Sequence, residues 1–127
     1  MIALRRGATW LLIGAAVGLA SCARPQAGDW RADTITAAES QIKAEVDDPA
    51  AQFSRVQVTG DDKTGQTCGY VSIGAGSGGS GKVERFIVYI DQTAGPFVEE
   101  NIGKHPLEGQ GFAQAWQGDC VSEGYAS

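Results

Sequence analysis

Ala8 to Ala20 is an unbroken run of 13 uncharged, mostly apolar residues, preceded by Arg5-Arg6 and followed closely by Cys22. No other feature limits so strongly what this chain can fold into. The run is long enough for the core of a signal peptide. It is too short to cross a bilayer as a helix, which takes about 20 residues. Read as an export signal, residues 1–21 leave, and 106 of the 127 residues remain to build a fold. That length has room for one domain. Exported domains this small often gain from a disulfide, because their cores are limited.

Where the signal is cut decides what the mature protein is. Leu19-Ala20-Ser21-Cys22 resembles a lipobox, at which bacterial signal peptidase II cuts ahead of a diacylglycerol-modified cysteine. The resemblance implies that Cys22 is the lipid-bearing first residue and that a membrane is its partner. Anchoring by more than one acyl chain is stable, since each buried methylene contributes about 0.8 kcal/mol. Arg5-Arg6 lacks the hydrophobic pair that follows a twin-arginine signal, so Sec export is expected. Ala23, rather than Asp, follows the cysteine, which in Gram-negative lipoproteins goes with transfer to the outer membrane, facing the periplasm. The competing reading is ordinary cleavage after Ala20 or Ala23, giving a soluble secreted chain. Cysteine parity argues against it. Three cysteines in an oxidising compartment leave one unpaired, and lipidation of Cys22 removes the odd one.

Cys68 and Cys120 remain and are expected to pair. Closing a loop of about 50 residues stabilises by about 4 kcal/mol in the chain-entropy model. Loss of Arg5 and Arg6 leaves 8 Lys and Arg against 15 Asp and Glu, a net −7. Nucleic-acid binding needs clustered Lys and Arg to meet phosphate, and no basic run follows Cys22. No nucleic-acid partner is expected.

Residues 22–33 contain Pro25 and Gly28 without periodicity and read as a lipidated tether, leaving 34–127 as the domain. Thr36-Ala-Ala-Glu39 has the form of a capping box and predicts a helix start, with Ala38, Ile42 and Val46 on one face. Asp47-Asp48-Pro49 should stop that helix, with Asp48 capping a short turn and Phe53 plugging the core. Strands are expected over Arg55–Thr59, Gln66–Ile73 and Lys82–Ile90, with a turn at Gly60–Gly65. Gly95-Pro96 reads as a turn. Phe112, Ala115 and Trp116 predict a short terminal helix ending near Gly118. The expected class is α+β: about three antiparallel strands, an N-terminal helix, a short C-terminal helix and one disulfide.

The most tempting motif is Gly74-Ala-Gly-Ser-Gly-Gly-Ser-Gly-Lys82. Gly76, Gly81 and Lys82 fit most of a P-loop, and Gly74, Gly76 and Gly79 fit a dinucleotide fingerprint. Both need a following helix whose N-terminus holds phosphate. Here Val83 stands where Ser or Thr would bind magnesium, and strand pattern follows. The plainer reading is a long loop between two strands, with Gly74, Gly76, Ser77, Gly78, Gly79, Gly81 and Lys82 as a candidate binding loop. No cofactor and no metal is expected. His105 stands alone without zinc spacing, and a Cys68–His105 nucleophilic pair competes with the disulfide for one sulfur. Asp61-Asp62 and Glu99-Glu100 read as solvated loop charge.

Several landmarks together resemble a family of small exported bacterial proteins, some with lipoprotein signals, that have no assigned activity. They are Asp48-Pro-Ala-Ala-Gln-Phe53 with Val56, Cys68-Gly-Tyr-Val71, the glycine loop leading to Arg85-Phe86, and Trp116 with Cys120. The family carries Asn and aromatic residues after its Cys-Gly pair and in the loop, where this chain has Ser72-Ile73 and a Gly/Ser run. The resemblance implies the helix, the sheet and the disulfide, and no function. The expectation is a non-catalytic envelope lipoprotein acting as a binding or accessory module, with another envelope protein as partner. The alternatives are a small envelope hydrolase using His105, or an inhibitor of an envelope enzyme using the glycine loop or Gln92–Glu100.

Overall fold

In a computed structural model, residues 29–74, 81–107 and 110–126 are described. Cys22, and Gly76, Ser77, Gly78 and Gly79 of the glycine loop, lie outside them. Among the described residues no helix is long and apolar enough to cross a membrane.

The first helix, α1, runs Trp30–Glu45 and so begins inside the stretch expected to be tether. Trp-Arg-Ala-Asp-Thr contains no Gly or Pro to oppose a helix, and Asp33 in the first turn complements the helix dipole. Thr36 is therefore an interior residue and not a cap. Its hydroxyl donates to the Ala32 carbonyl at 3.1 Å, the backward bond that threonine makes inside helices. Ala38, Ile42 and Glu45 form the buried stripe. The helix ends at the expected place, before Pro49. There the buried Asp48 carboxylate accepts the Ala50 N–H at 3.0 Å and the Gly74 N–H at 2.8 Å, tying the helix end to the end of a strand.

Four antiparallel strands make one sheet in the order β1-β2-β3-β4: β1 Gln52–Thr59, β2 Gln66–Ile73, β3 Lys82–Tyr89 and β4 Phe97–Val98. The fourth strand corrects the expectation of about three. It has two residues, paired with Phe86 and Ile87, and so leaves no alternation to read. The β1–β2 register runs from Gln52 opposite Ser72 to Thr59 opposite Gln66, interrupted by a bulge between Ser54 and Gln57.

Central β2 separates two cores. On one face α1 packs through Ala38 and Ile42 onto Val71, Phe86, Val88 and Val98, with Phe53 edge-on to Phe86 at 5.6 Å. Each fully buried Ile, Val or Phe there contributes roughly 1.5–3 kcal/mol. Gly69 lets β1 approach: a Cβ on it would lie 3.0 Å from Val56 Cα and 3.1 Å from the Phe86 ring. On the other face Cys68, Ile87 and Phe97 meet Phe112, Trp116, Cys120 and Tyr125. These belong to α2, Gly111–Ala115, to a π-helical turn, Trp116–Val121, that continues it, and to the tail beyond. The terminal helix thus passes through Gly118, and Cys120 lies within the turn and not beyond it. Cys68 and Cys120, both fully buried, are joined, with 6.1 Å between their Cα atoms. Class, flanking helices and disulfide are those expected: the fold is α+β.

Candidate functional site

The C-terminal helices cover only part of their sheet face. At its other end Ser54, Arg55, Tyr70 and Val83 line an open groove of about 330 Å³. The sequence places Arg55 there by a local irregularity. Phe53 and Val56 pack on the same core although three residues apart, so one extra residue is pushed out as the bulge. Arg55 adopts φ of +52°, a left-handed conformation that side chains other than Gly, Asn and Asp rarely take. Its carbonyl accepts the Tyr125 hydroxyl at 2.8 Å, which holds the conformation from the C-terminal tail. Burial raises the Tyr125 pKa and keeps that donor protonated. The exposed Arg55 guanidinium lies 6.0 Å from the centre of the Tyr70 ring and pairs with no carboxylate among the described residues. Beside it Val83 is 56 % exposed.

The neighbouring cation is differently placed. Arg85 grips Glu99 through Nε at 3.1 Å and a terminal nitrogen at 2.7 Å, and its own backbone N–H donates to the same carboxylate at 3.1 Å. Its guanidinium lies 5.5 Å from the Phe112 ring and 5.1 Å from the Trp116 ring. The hydrogen bonds from Arg85 hold the Glu99 carboxyl below the usual range. Arg85 is committed to the fold, and Arg55 is free to meet a ligand.

The ends of the glycine loop reach this region. Ser72 donates to the Gly81 carbonyl at 3.1 Å, and Gly81 leads directly into β3. No helix follows the loop, so the phosphate-cradle geometry is not formed. The Lys82 ammonium is 3.1 Å from buried Glu84 and 2.5 Å from Glu100. Glu99 and Glu100 are thus ion-paired, correcting their reading as solvated loop charge, and β4 pins the second half of Gln92–Glu100 into the sheet. Asp61 in turn organises the β1–β2 connection. Its Oδ1 accepts the backbone N–H groups of Thr64 at 2.7 Å and Lys63 at 2.8 Å, which lowers its pKa.

A second cluster forms around His105, the one histidine that the sequence singles out. Its Nδ1 lies 2.8 Å from Glu45 Oε1, and Glu45 Oε2 accepts the backbone N–H groups of Lys104 and His105. Gly103, at φ +106°, permits this. A Cβ there would lie 2.7 Å from Glu45 Cγ. Glu45 is buried and His105 is half exposed, beside an open cleft of about 300 Å³ that Gln41, Ala44, Pro96 and Lys104 also line. A carboxylate orienting an imidazole is the arrangement of a general base. None of these cleft residues is Ser, Thr or Cys. Cys68 is held in the disulfide, away from His105 chemistry. Among the described residues no group of three or more His, Cys, Asp or Glu could hold a metal ion.

Sequence reasoning missed Arg55 and Glu45. The signal for Arg55 was the broken alternation at Phe53, Val56 and Val58. For Glu45 it was an acidic residue three positions after Ile42, on the apolar face of the helix. No family model, curated protein or solved structure matches the chain.

Proposed function

We propose that this chain is a lipid-anchored envelope protein, exported by residues 1–21 and held through Cys22 at the outer membrane facing the periplasm. Its domain acts without catalysis, binding an acidic segment of another envelope protein in the groove around Arg55. The observation that carries this reading is the unpaired Arg55 guanidinium, held on a left-handed bulge over Tyr70 in a chain whose mature charge is −7. Strained backbone persists where surrounding structure enforces it, and it concentrates at binding and active sites. Tyr and Arg are also the side chains that dominate interface energetics. The anchor is supported by the lipobox-like Leu19–Cys22 and by the parity of the remaining cysteines.

The test is photo-crosslinking in cells from a probe at Val83, with a probe at exposed Gln114 as the control. The expected result is a specific adduct from Val83 alone that disappears in Arg55→Glu. Adducts identical at both positions, or unaffected by Arg55→Glu, would sink the reading. Intact mass of the membrane-extracted protein checks the anchor separately. A chain beginning at unlipidated Ser21 or Arg24 would remove it.

One observation favours a second reading, a small envelope hydrolase. The Glu45–His105 pair supplies an oriented base beside an open cleft. His105→Ala should then abolish a measurable phenotype with folding intact, and Arg55→Glu should leave that phenotype alone.

A further inference from the structure

On the opposite face of the sheet, between α1 and the start of β2, lies a separate small cavity of about 110 Å³. Ala38, Thr67 and Val88 form its floor, at 1 %, 0 % and 3 % exposure, and Gln41 and Gln92 stand among its rim residues. No charged residue lines it. The Thr67 hydroxyl is buried without a hydrogen-bond partner. Protein interiors rarely leave such a group unsatisfied, because it loses water and gains nothing in return. Valine has nearly the same shape and would fill the position without that loss. An unpaired hydroxyl in the floor of an open cavity is what a site looks like when its missing partner is a ligand.

The lining restricts what the ligand can be. A charged group would enter without a counter-charge and lose its hydration. A purely apolar group would leave Thr67 as unsatisfied as before. The volume is somewhat below the roughly 150 Å³ that accepts benzene in a dry apolar cavity, so only about four or five heavy atoms fit. An acetamido group meets all three conditions. Its methyl lies against Ala38 and Val88, its carbonyl oxygen accepts from the Thr67 hydroxyl, and its N–H donates to a rim carboxamide. We infer that this cavity binds the acetamido group of an uncharged N-acetylated amino sugar. The inference uses neither Arg55 nor His105 and stands apart from the proposed partner groove.

The experiment follows backbone amide shifts of the full chain in detergent during titration with N-acetylglucosamine. Glucose, glucosamine and an N-acetylated alanine amide are run in parallel. The expected result is saturable shifts at Ala38, Thr67 and Val88 with N-acetylglucosamine alone. Thr67→Val should weaken binding at least ten-fold. Ala37→Trp, placed on the exposed rim, should block it with the helix intact, so the site stays testable even if Thr67→Val misfolds. Absence of saturable shifts in the wild-type chain, equal binding by Thr67→Val, or equal shifts with glucose or glucosamine would overturn the inference. Binding of the alanine amide in preference to the sugar would overturn its assignment to a glycan.

Discussion

Reduction of the Cys68–Cys120 bond offers a quantitative test of how this domain is held together. The two cysteines are 52 residues apart, and both side chains are fully buried between β2 and the π-helical turn. Opening a loop of that length returns about 14 cal/mol/K of chain entropy to the unfolded ensemble, or about 4 kcal/mol at 25 °C. The thiols stay in place as small apolar groups, so packing around Trp116 and Tyr125 changes little. Small domains have total stabilities of about 5–15 kcal/mol, so the loss removes from a quarter to most of what is available. The assay is urea unfolding followed by tryptophan fluorescence, comparing oxidised protein with protein reduced in denaturant and refolded under reductant. The free energy of unfolding should fall by about 4 kcal/mol, and the dependence on urea should steepen because the reduced unfolded chain is more expanded. The thermal midpoint should drop by about 15–30 °C. A loss below about 1 kcal/mol would refute the reasoning. It would mean that β2 and the C-terminal helices hold together by packing and by hydrogen bonds such as Gln66 to the Asp119 carbonyl, at 2.5 Å.

Four further outcomes follow from single sites. Gly103→Ala should destabilise by about 2–3 kcal/mol in urea melts, since the new methyl meets Glu45 at a backbone φ of +106°. Thr67→Val should raise stability by about 1–3 kcal/mol, because it removes a buried hydroxyl without a partner; a fall would show that the hydroxyl is satisfied. The Glu99 carboxyl titrates below its ordinary value of 4.5, so its contribution is complete above that pH and is lost as pH falls through the lowered value. Unfolding midpoints at about pH 6 and about pH 3 should therefore differ less in Glu99→Gln than in wild type. Tyr89, buried and donating to Asp119, titrates above its ordinary value of 10.0, so the wild type should lose stability on the alkaline side of that value. Tyr89→Phe should flatten that limb in melts taken at rising pH.

Sequence made the folding units legible wherever one physical signal dominated. Asp48-Pro49 ended the helix where expected, because proline excludes the preceding residue from the α region. Lys82–Tyr89 was readable as a strand because its apolar run is long, and the cysteine pairing followed from parity. Local chemistry misled where two structures can use the same residues. Thr36 has a cap's side chain, but the favourable residues before it let the helix start at Trp30. Phe97–Val98 is too short for any period to register, and its place was set by Phe86 and Ile87, about ten residues upstream. The candidate sites were the least legible. Arg55, Tyr125 and Tyr70 meet across 70 residues of chain, as do Glu45 and His105 across 60, and no local pattern encodes such meetings.

The sheet's margins also say how a partner could be recognised. At one edge β1 is broken by the bulge that carries Arg55, and at the other β4 has only two residues. Neither offers the flat row of free backbone groups onto which an extended peptide zips as an extra strand. Such borders also keep neighbouring copies from knitting together when a protein is crowded in two dimensions, as a lipid-held one would be. Whatever this domain grips, it must read by the shape and charge of side chains, and a search among proteins displaying folded acidic surfaces suits it better than a screen of linear motifs.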